Sequence, residues 1–303
     1  MSESEKPHRF IVIGKGGGFS QEILRQIKLD KSNNPVLNLS TRDIKTQEFQ
    51  KHVGDILATQ TEFKDTVIWS TGSSSNRSNS DDCKKDESVL QEFIQCLLAS
   101  PAYSPNFCYF SSGGTIYGDS PGIVNETSHL NPQTAYAEMK VRSEEFLLRL
   151  AEIGRIGVYL FRIANVYGPN PGVRKNFIHA SLLNPEIYLT VNAMSRKQYG
   201  TYQDYSNYIL RYMDEFPLAA GSKIVQNVYS SYSYSISEIL EITEPYSAFK
   251  DRRVIRESGS LSRTEDVLLT SVNSEPDIGF KWQSLEDYLR ALDLRSEQAD
   301  HPE

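Results

Sequence analysis

The first half of the chain alternates short apolar runs with longer segments of helical periodicity. An apolar run of four to eight residues predicts a strand buried on both faces. Such runs lie at residues 9–13, 35–39, 52–56, 66–72 and 107–110. Helical spacing of apolar residues instead marks residues 22–27, 89–98 and 136–153. This alternation predicts an α/β fold built on a Rossmann-like, doubly wound parallel sheet.

The second half of the chain is less regular after Gly168. Residues 173–183 and 205–214 predict helices, and residues 224–229 predict a strand. Ser235 precedes an apolar helical pattern and is the expected N-cap of a further helix.

A glycine-rich turn follows the first predicted strand directly and leads into the first predicted helix. Its glycines follow a G-x-x-G-x-x-G pattern in which Ser20 replaces the third glycine. Glycines permit positive φ angles and a close approach of the backbone to a pyrophosphate, which the helix N-terminus then faces. The turn predicts a dinucleotide-binding fingerprint, although a glycine-rich turn without a ligand has the same pattern. The candidate cofactor-binding residues here are Gly14, Gly17, Gly18 and Phe19.

The ends of the next three predicted strands supply further candidate cofactor contacts. Ser40 and Arg42 follow the second strand, where a hydroxyl and a guanidinium suit the 2′-phosphate of NADP. The alternative is that Asp43 binds the ribose of NAD from an ordinary polar loop. The end of the predicted third strand places Asp55 and Ile56 beside adenine. The fourth strand ends in small residues that a cofactor could pass closely, namely Ser70, Thr71 and Gly72, before a polar, serine-rich loop at residues 73–85.

Tyr136 and Lys140 are the candidate acid–base pair. They lie four residues apart on a predicted helix, so their side chains share one face. An ammonium beside a phenol favours the phenolate and lowers the tyrosine pKa, which makes Tyr136 a candidate proton donor or acceptor. The alternative is an exposed lysine beside a packed tyrosine.

Composition narrows the class of protein. The chain has 303 residues, of which 39% are hydrophobic and 23% charged, as in ordinary globular proteins. A net charge of −7 and short basic runs argue against a nucleic-acid partner. No signal peptide or membrane span is expected from the sequence. Three cysteines without metal-ligand spacing and five scattered histidines predict free thiols, a cytoplasmic location and no metal.

Four further motifs follow in order. Residues 110–118 are FSSGGTIYG, residues 131–136 are NPQTAY, residues 161–169 are FRIANVYGP, and residues 197–204 are KQYGTYQD. With the glycine turn, they closely resemble the extended short-chain dehydrogenase/reductase family, in its NAD(P)-dependent epimerase/dehydratase branch that acts on nucleotide sugars. The resemblance covers residues 9–290. It implies a dinucleotide-binding domain over residues 9–168 and a mainly substrate-binding part over residues 169–295, with later segments returning to the sheet.

The resemblance also implies roles for residues of this chain. Tyr136 would exchange a proton with the sugar, and Lys140 would hold the nicotinamide ribose and lower the Tyr136 pKa. Asn165 would bind the substrate diphosphate, Asn176 would lie in the loop that meets the nucleotide, and Lys197, or its neighbour Arg196, would replace the usual anchoring arginine. A homodimer formed through the helices that start near residues 89 and 136 is a further expectation.

Three departures from the family pattern affect the expected chemistry. Gly113 occupies the position of the usual catalytic hydroxyl, so Thr115 or Ser112 must supply it. Gly114 and Thr115 replace the acidic pair of the sugar dehydratases, which argues against dehydration. Asp86 replaces an asparagine, and residues 197–198 replace an Arg-Asp pair, so the substrate anchors are expected to differ.

These observations predict an NADP-dependent reductase of a 4-keto nucleotide sugar. The first alternative is a nucleotide-sugar 4-epimerase with tightly bound NAD. The second alternative is a non-catalytic dinucleotide-binding protein on the same fold.

Overall fold

The computed structural model describes residues 6–31, 33–41, 46–118, 122–168, 176–219, 221–257, 266–273 and 280–299. Its strands are β1 (His8–Ile13), β2 (Val36–Leu39), β3 (Lys64–Trp69), β4 (Asn106–Ser112), β5 (Ile123–Val124), β6 (Gly157–Ile163), β7 (Asn165–Tyr167), β8 (Glu186–Leu189), β9 (Arg196–Thr201), β10 (Lys223–Val228), β11 (Ser233–Ser235), β12 (Arg253–Arg256) and β13 (Leu268–Leu269). Its helices are α1 (Gly18–Asp30), α2 (Gln47–Ala58), α3 (Ser80–Leu97), α4 (Ala135–Glu152), α5 (Phe177–Leu183), α6 (Tyr202–Glu215), α7 (Ile236–Thr243) and α8 (Leu285–Ala299).

The main sheet has six strands in the described part of the chain, in the order β10-β6-β4-β3-β1-β2. Every neighbouring pair in it is parallel. The carboxyl ends of β1, β3 and β4 therefore meet at one edge, where ligands of such sheets bind. The predicted Rossmann-like α/β fold is confirmed, and β10 returns to the sheet from the second half of the chain.

Alternating side chains of β1 show how the sheet is covered. Phe10 and Val12 belong to the core between the sheet and helices α1 and α6. Ile11 and Ile13 belong to the core on the other face, against α2, α3 and α4. Successive strand residues point to opposite faces of the sheet. A strand in a sheet that is covered on both faces therefore needs apolar residues at every position.

The predicted strand at residues 52–56 is wrong, because these residues lie in α2. Thr46 caps this helix by accepting a hydrogen bond from the Phe49 backbone N–H at 3.2 Å. Phe49, Val53 and Ile56 then fall on one helical face and are buried against the sheet. The chain thus passes from β2 through one helix to β3, and β2 is an edge strand in the described part.

α1 and α5 begin at Gly18 and Phe177 rather than at residues 22 and 173, and two further helix starts, those of α3 and α6, also differ from the prediction. α3 begins at Ser80 rather than near residue 89, with Asn79 as its N-cap, so only part of the serine-rich segment is a loop. α6 begins at Tyr202, three residues early, because the Thr201 side chain caps it. The early turns of both helices carry polar residues that apolar periodicity does not detect.

The remaining strands form small sheets beside the carboxyl edge of the main sheet. β9 lies between β11 and β7, β12 pairs with β8, and β13 pairs with β5. α7 begins with the predicted Ser235 cap, completed as a capping box by Glu238. Within the described residues, no helix is long and apolar enough to cross a membrane.

Candidate functional site

A cleft of about 350 Å³ opens at the carboxyl edge of the main sheet. It is bounded by the glycine turn, the ends of β2 and β3, and one face each of α3 and α4. Several of the predicted site residues line it together: Gly14, Gly17, Ser40, Ser70, Thr71, Gly72, Tyr136 and Lys140. The glycine turn and the Tyr136 helix, far apart in sequence, therefore share one cleft.

Gly14 is required by both backbone conformation and space. Its φ is +135°, and a β-carbon built there would lie 2.9 Å from the Ser70 carbonyl oxygen. Its backbone N–H donates to the Leu39 carbonyl at 2.8 Å, which joins the turn to the end of β2. Gly17, the N-cap of α1, offers no side-chain cap, so the first N–H groups of the helix remain available to a phosphate. This turn can hold a dinucleotide pyrophosphate.

Lys15 is a lining residue that the sequence reasoning missed. It lies in the glycine turn and lines the cleft together with Ser40 and Thr41. The Thr41 and Thr71 hydroxyls lie 3.4 Å apart and connect the ends of β2 and β3. Arg42, predicted to bind a 2′-phosphate, lies outside the described residues, as does the alternative Asp43.

Four predicted cofactor-binding residues are not among the residues that line this cleft, although the backbone N–H groups of Gly18 and Phe19 belong to the first turn of α1. Asp55 is exposed on α2, and Ile56 is buried in the core beneath the sheet. Gly18 starts α1 and borders a different depression beside α6 and α8. Phe19 packs against Phe110 and the edge of Tyr202. The placement of Asp55 and Ile56 beside adenine fails because their predicted strand is a helix.

Tyr136 and Lys140 stand on the first turns of α4, which the Thr134 side chain caps. The Lys140 Nζ donates to the Phe110 carbonyl at 2.8 Å and lies 5.6 Å from the Tyr136 ring centre. It also lies 4.7 Å from the ring centre of Tyr109. The lysine is therefore fixed between two aromatic rings at the end of β4.

The expected lowering of the Tyr136 pKa does not occur. Burial raises the pKa of the Tyr136 hydroxyl above its ordinary value, and the charge of Lys140 offsets only part of this effect. Asp86 adds to the upward shift of the pKa. The phenol is therefore the form present at neutral pH.

Asp86, which replaces the family's asparagine, also lines the cleft. Its carboxylate accepts the backbone N–H groups of Ser73 and Ser74 at 2.9 and 2.7 Å and the Ser73 hydroxyl at 3.1 Å. The carboxylate thus ties the loop after β3 to α3, and Ser73 and Ser74 of this loop also line the cleft. It is the one acidic side chain among the described lining residues.

The two candidate catalytic hydroxyls bind each other. The Thr115 Oγ1 donates to the Ser112 Oγ at 2.9 Å, at the end of β4. Both side chains are half-buried, and neither is part of the lining of the dinucleotide cleft.

The predicted substrate contacts lie on the small sheets and on α5. The Asn165 Nδ2 donates to the Gln198 carbonyl at 3.2 Å. Asn176 caps α5 and donates to the Val166 carbonyl at 3.2 Å. Lys197 is half-buried on β9. Arg196 contacts Glu238 at 2.6 Å and the Ser233 carbonyl at 2.7 Å, so its guanidinium is committed to the start of α7.

The wall of the cleft contains further residues that the sequence reasoning missed. Most of these residues are buried side chains on β3, β4, α3 and α4. They are Trp69, Val89, Leu90, Tyr109, Met139 and Ser143. Met139 and Ser143 follow Tyr136 by three and seven residues on α4, so helical spacing could have found them. Among the described residues, no cluster of histidine, cysteine or acidic side chains could hold a metal ion.

Fold and cleft together define a dinucleotide-binding protein of the Rossmann-like class. A family model for the NAD dependent epimerase/dehydratase family matches residues 56–226, which is more than half of the chain. The chain belongs to this family, as its motifs predicted. A comparison with curated protein sequences finds no significant match.

Solved structures share the fold at low sequence identity. MoeE5 in complex with UDP-glucose and NAD has 14% identity and a TM-score of 0.74, over 97% of this chain and 100% of that one. The UDP-glucose 4-epimerase of Thermotoga maritima with UDP-glucose has 15% identity and a TM-score of 0.72, over 97% and 100%. RMD from Pseudomonas aeruginosa complexed with NADPH has 19% identity and a TM-score of 0.70, over 94% and 97%.

Proposed function

We propose that this protein is an NADPH-dependent reductase of a 4-keto nucleotide sugar. The observation that supports it most is the shared cleft, which joins the glycine turn to Tyr136 and Lys140. Family membership supports an NAD(P)-dependent enzyme acting on a nucleotide sugar. Lys15 in the glycine turn and Ser40 and Thr41 after the end of β2 favour NADP, because an ammonium and two hydroxyls suit a 2′-phosphate.

The raised Tyr136 pKa suits the direction of reduction. The cofactor, when bound, supplies the hydride. The Tyr136 phenol donates its proton to the carbonyl oxygen, which otherwise becomes an alkoxide. The Lys140 ammonium stabilises the resulting phenolate. A tyrosine is a phenol at neutral pH, and burial raises its pKa further, so Tyr136 is already in the form needed for this step.

The substrate would lie between the end of β4 and the small sheets. In this proposal Asn165 and Lys197 contact the diphosphate, and Asn176 at the start of α5 contacts the nucleotide. Two of the structural relatives contain UDP-glucose, which supports a sugar nucleotide as the class of substrate. Gly114 lies next to the Asn165 side chain in place of an acidic residue, which argues against dehydration.

Epimerisation is the alternative that the same residues permit. An epimerase would use Tyr136 and Lys140 in both directions and would retain NAD; an NAD-bound epimerase relative exists in Thermus thermophilus. A non-catalytic dinucleotide-binding protein would keep the cleft without needing both side chains. The homodimer through α3 and α4 and the cytoplasmic location remain predictions.

Single-residue variants test the proposal. With NADPH and a panel of 4-keto-6-deoxy sugar nucleotides, we expect Tyr136→Phe to lower kcat by about 10²–10⁴-fold, since a general acid contributes that much. NADPH affinity should stay within a few fold. Tyr109→Phe is the matched control, because it removes another phenol hydroxyl from the same cleft. The proposal fails if Tyr136→Phe turns over like the wild type. Activity without added cofactor, together with copurified NAD, would favour the epimerase.

A further inference from the structure

Gly113 has no space for a side chain. A β-carbon built there would overlap the Cδ1 of Leu269 and would lie 3.0 Å from the Arg162 carbonyl oxygen. The φ of Gly113 is not in the left-handed region, so neighbouring atoms rather than backbone strain require the glycine. One neighbour is main chain in the central strand β6. The other, Leu269, is only 3% exposed and packs in the main core, so it has little freedom to turn away.

Gln198 fixes the backbone of Leu269. The Gln198 Nε2 donates to the Leu269 carbonyl at 3.1 Å, and the Gln198 Oε1 accepts the Leu269 N–H at 2.8 Å. One amide side chain thereby satisfies both polar groups of this residue. An ionised carboxylate could accept the N–H but could not donate to the carbonyl. Glutamine at 198 and glycine at 113, both departures from the family pattern, therefore meet at Leu269.

The hydroxyls next to Gly113 are arranged so that one of them can act on a substrate. The Thr115 Oγ1 donates to the Ser112 Oγ at 2.9 Å. A serine hydroxyl has one proton and two acceptor sites. Because the Ser112 oxygen accepts from Thr115, its own proton remains available to a substrate oxygen.

We propose that Leu269, held by Gln198, excludes a side chain at position 113 and thereby assigns the substrate-binding hydroxyl to Ser112, with Thr115 as its positioning partner. This inference rests on the proposed reaction at Tyr136. Ser112 is then a catalytic residue, and Leu269 and Gln198 act on the reaction through the packing of the loop after β4.

A stability cycle tests the exclusion without any substrate. Gly113→Ser alone should lower the Tm by about 3–8 °C, because the core is overpacked. In a Leu269→Ala background the same change should lower the Tm by less than half as much. Leu268→Ala is the matched control, since it truncates the half-buried neighbour on β13 and leaves the Leu269 side chain in place. If Gly113→Ser lowered the Tm equally in the Leu269→Ala and Leu268→Ala backgrounds, Leu269 would not be the residue that excludes a side chain at position 113.

Kinetics with NADPH and a 4-keto-6-deoxy sugar nucleotide test the assignment. Ser112→Ala should lower kcat by about 100-fold, as expected for one lost oxyanion donor, with an unchanged KM for NADPH. Thr115→Val should lower kcat less. In the Gly113→Ser, Leu269→Ala double variant, Ser112→Ala should have a smaller effect on kcat, since the new hydroxyl can replace the lost one.

If both hydroxyl variants keep wild-type kcat while Tyr136→Phe loses it, the assignment fails and the proposed function stands. If Tyr136→Phe also keeps its activity, the proposed function fails instead.

Gln198→Glu separates positioning from general stability. It keeps the acceptor for the Leu269 N–H and removes the donor to the Leu269 carbonyl. We expect Gln198→Glu to lower kcat by about fivefold or more while the KM for NADPH is unchanged. Gln198→Asn should also have a lower kcat than the wild type, because its shorter side chain does not span both polar groups of Leu269. A kcat that stays at the wild-type value in Gln198→Glu would remove Gln198 from the inference.

Discussion

At the scale of single residues, the acid–base pair depends on competing effects at Tyr136. Burial, the Asp86 carboxylate and the neighbouring Tyr109 and Cys83 raise the pKa of Tyr136, and Lys140 lowers it. Burial is the largest of these effects. At neutral pH the protein therefore holds a neutral phenol against an ammonium, and the phenolate of Tyr136 forms at a higher pH than that of an ordinary tyrosine.

The titration of Tyr136 can be measured directly. In protein without added cofactor, the ultraviolet difference between wild type and Tyr136→Phe should show the phenolate appearing at a higher pH than in a free tyrosine, because the pKa of Tyr136 is raised. Asp86→Asn should move the titration to lower pH by removing a carboxylate, and Lys140→Met should move it to higher pH by removing a cation. A phenolate signal near pH 8 in the wild type would contradict this electrostatic picture.

Lys15 should discriminate between the two dinucleotides. Its ammonium lines the cleft with Ser40 and Thr41, where a 2′-phosphate would lie. We expect Lys15→Met to weaken NADPH binding by about fivefold and to leave NADH binding within about twofold, as one partly exposed ion pair contributes about 1 kcal/mol. Fluorescence titration with both cofactors measures this. Lys28→Met, on the exposed last turn of α1, which follows the glycine turn, is the control, and an equal loss for both cofactors would exclude a phosphate-specific role.

At the scale of elements, the sequence predicted the strands and helices whose apolar residues have an unambiguous local spacing. β1, β3 and β4 were found because strands buried on both faces are continuous apolar runs. α2 was missed because a short run containing Val53 and Ile56 also suits a strand. The distinguishing signals were Thr46 as an N-cap and Phe49 one turn before Val53.

The same limit applies to the site. Tyr136 and Lys140 were predictable because four residues of one helix set their geometry. The Gly14 turn was predictable because strand, glycines and helix are contiguous in sequence. The contact between Gly113 and Leu269 was not, because it joins β4 to a two-residue strand far along the chain. Side chains that meet through tertiary packing leave no local signal in a single sequence.

At the scale of the whole molecule, one buried polar network joins α4, the helix that carries Tyr136, to the sheet. The Arg162 guanidinium on β6 contacts Glu144 on α4 at 2.8 Å, and both side chains are less than 10% exposed. Arg162 also donates to the Tyr117 hydroxyl at 3.0 Å, which in turn donates to Asn227 on β10 at 2.8 Å. The helix that carries Tyr136 is thus tied to two neighbouring strands.

Breaking this ion pair should unfold the protein more easily. We expect Glu144→Gln to reduce the free energy of unfolding by about 3–5 kcal/mol, because it leaves the Arg162 charge buried without its counter-ion. Denaturant titration measures the loss. Glu138→Gln on the same helix is the control, since its pair with Arg142 is solvent-exposed and should contribute about 0–1 kcal/mol. Similar losses in the two variants would mean that the buried network does not join helix and sheet as described.

The order of strands also has a consequence for synthesis of the chain. All seven residues of β6 are buried in the finished sheet, where β10 covers one of its edges. The ribosome makes β10 only after the roughly 60 residues that separate Ile163 from Lys223. At about 5–20 residues per second, the growing chain exposes an unpaired, apolar sheet edge for about 3–12 s. Truncated chains that end before β10 would keep that edge permanently, so chaperone binding and aggregation should be greatest for them.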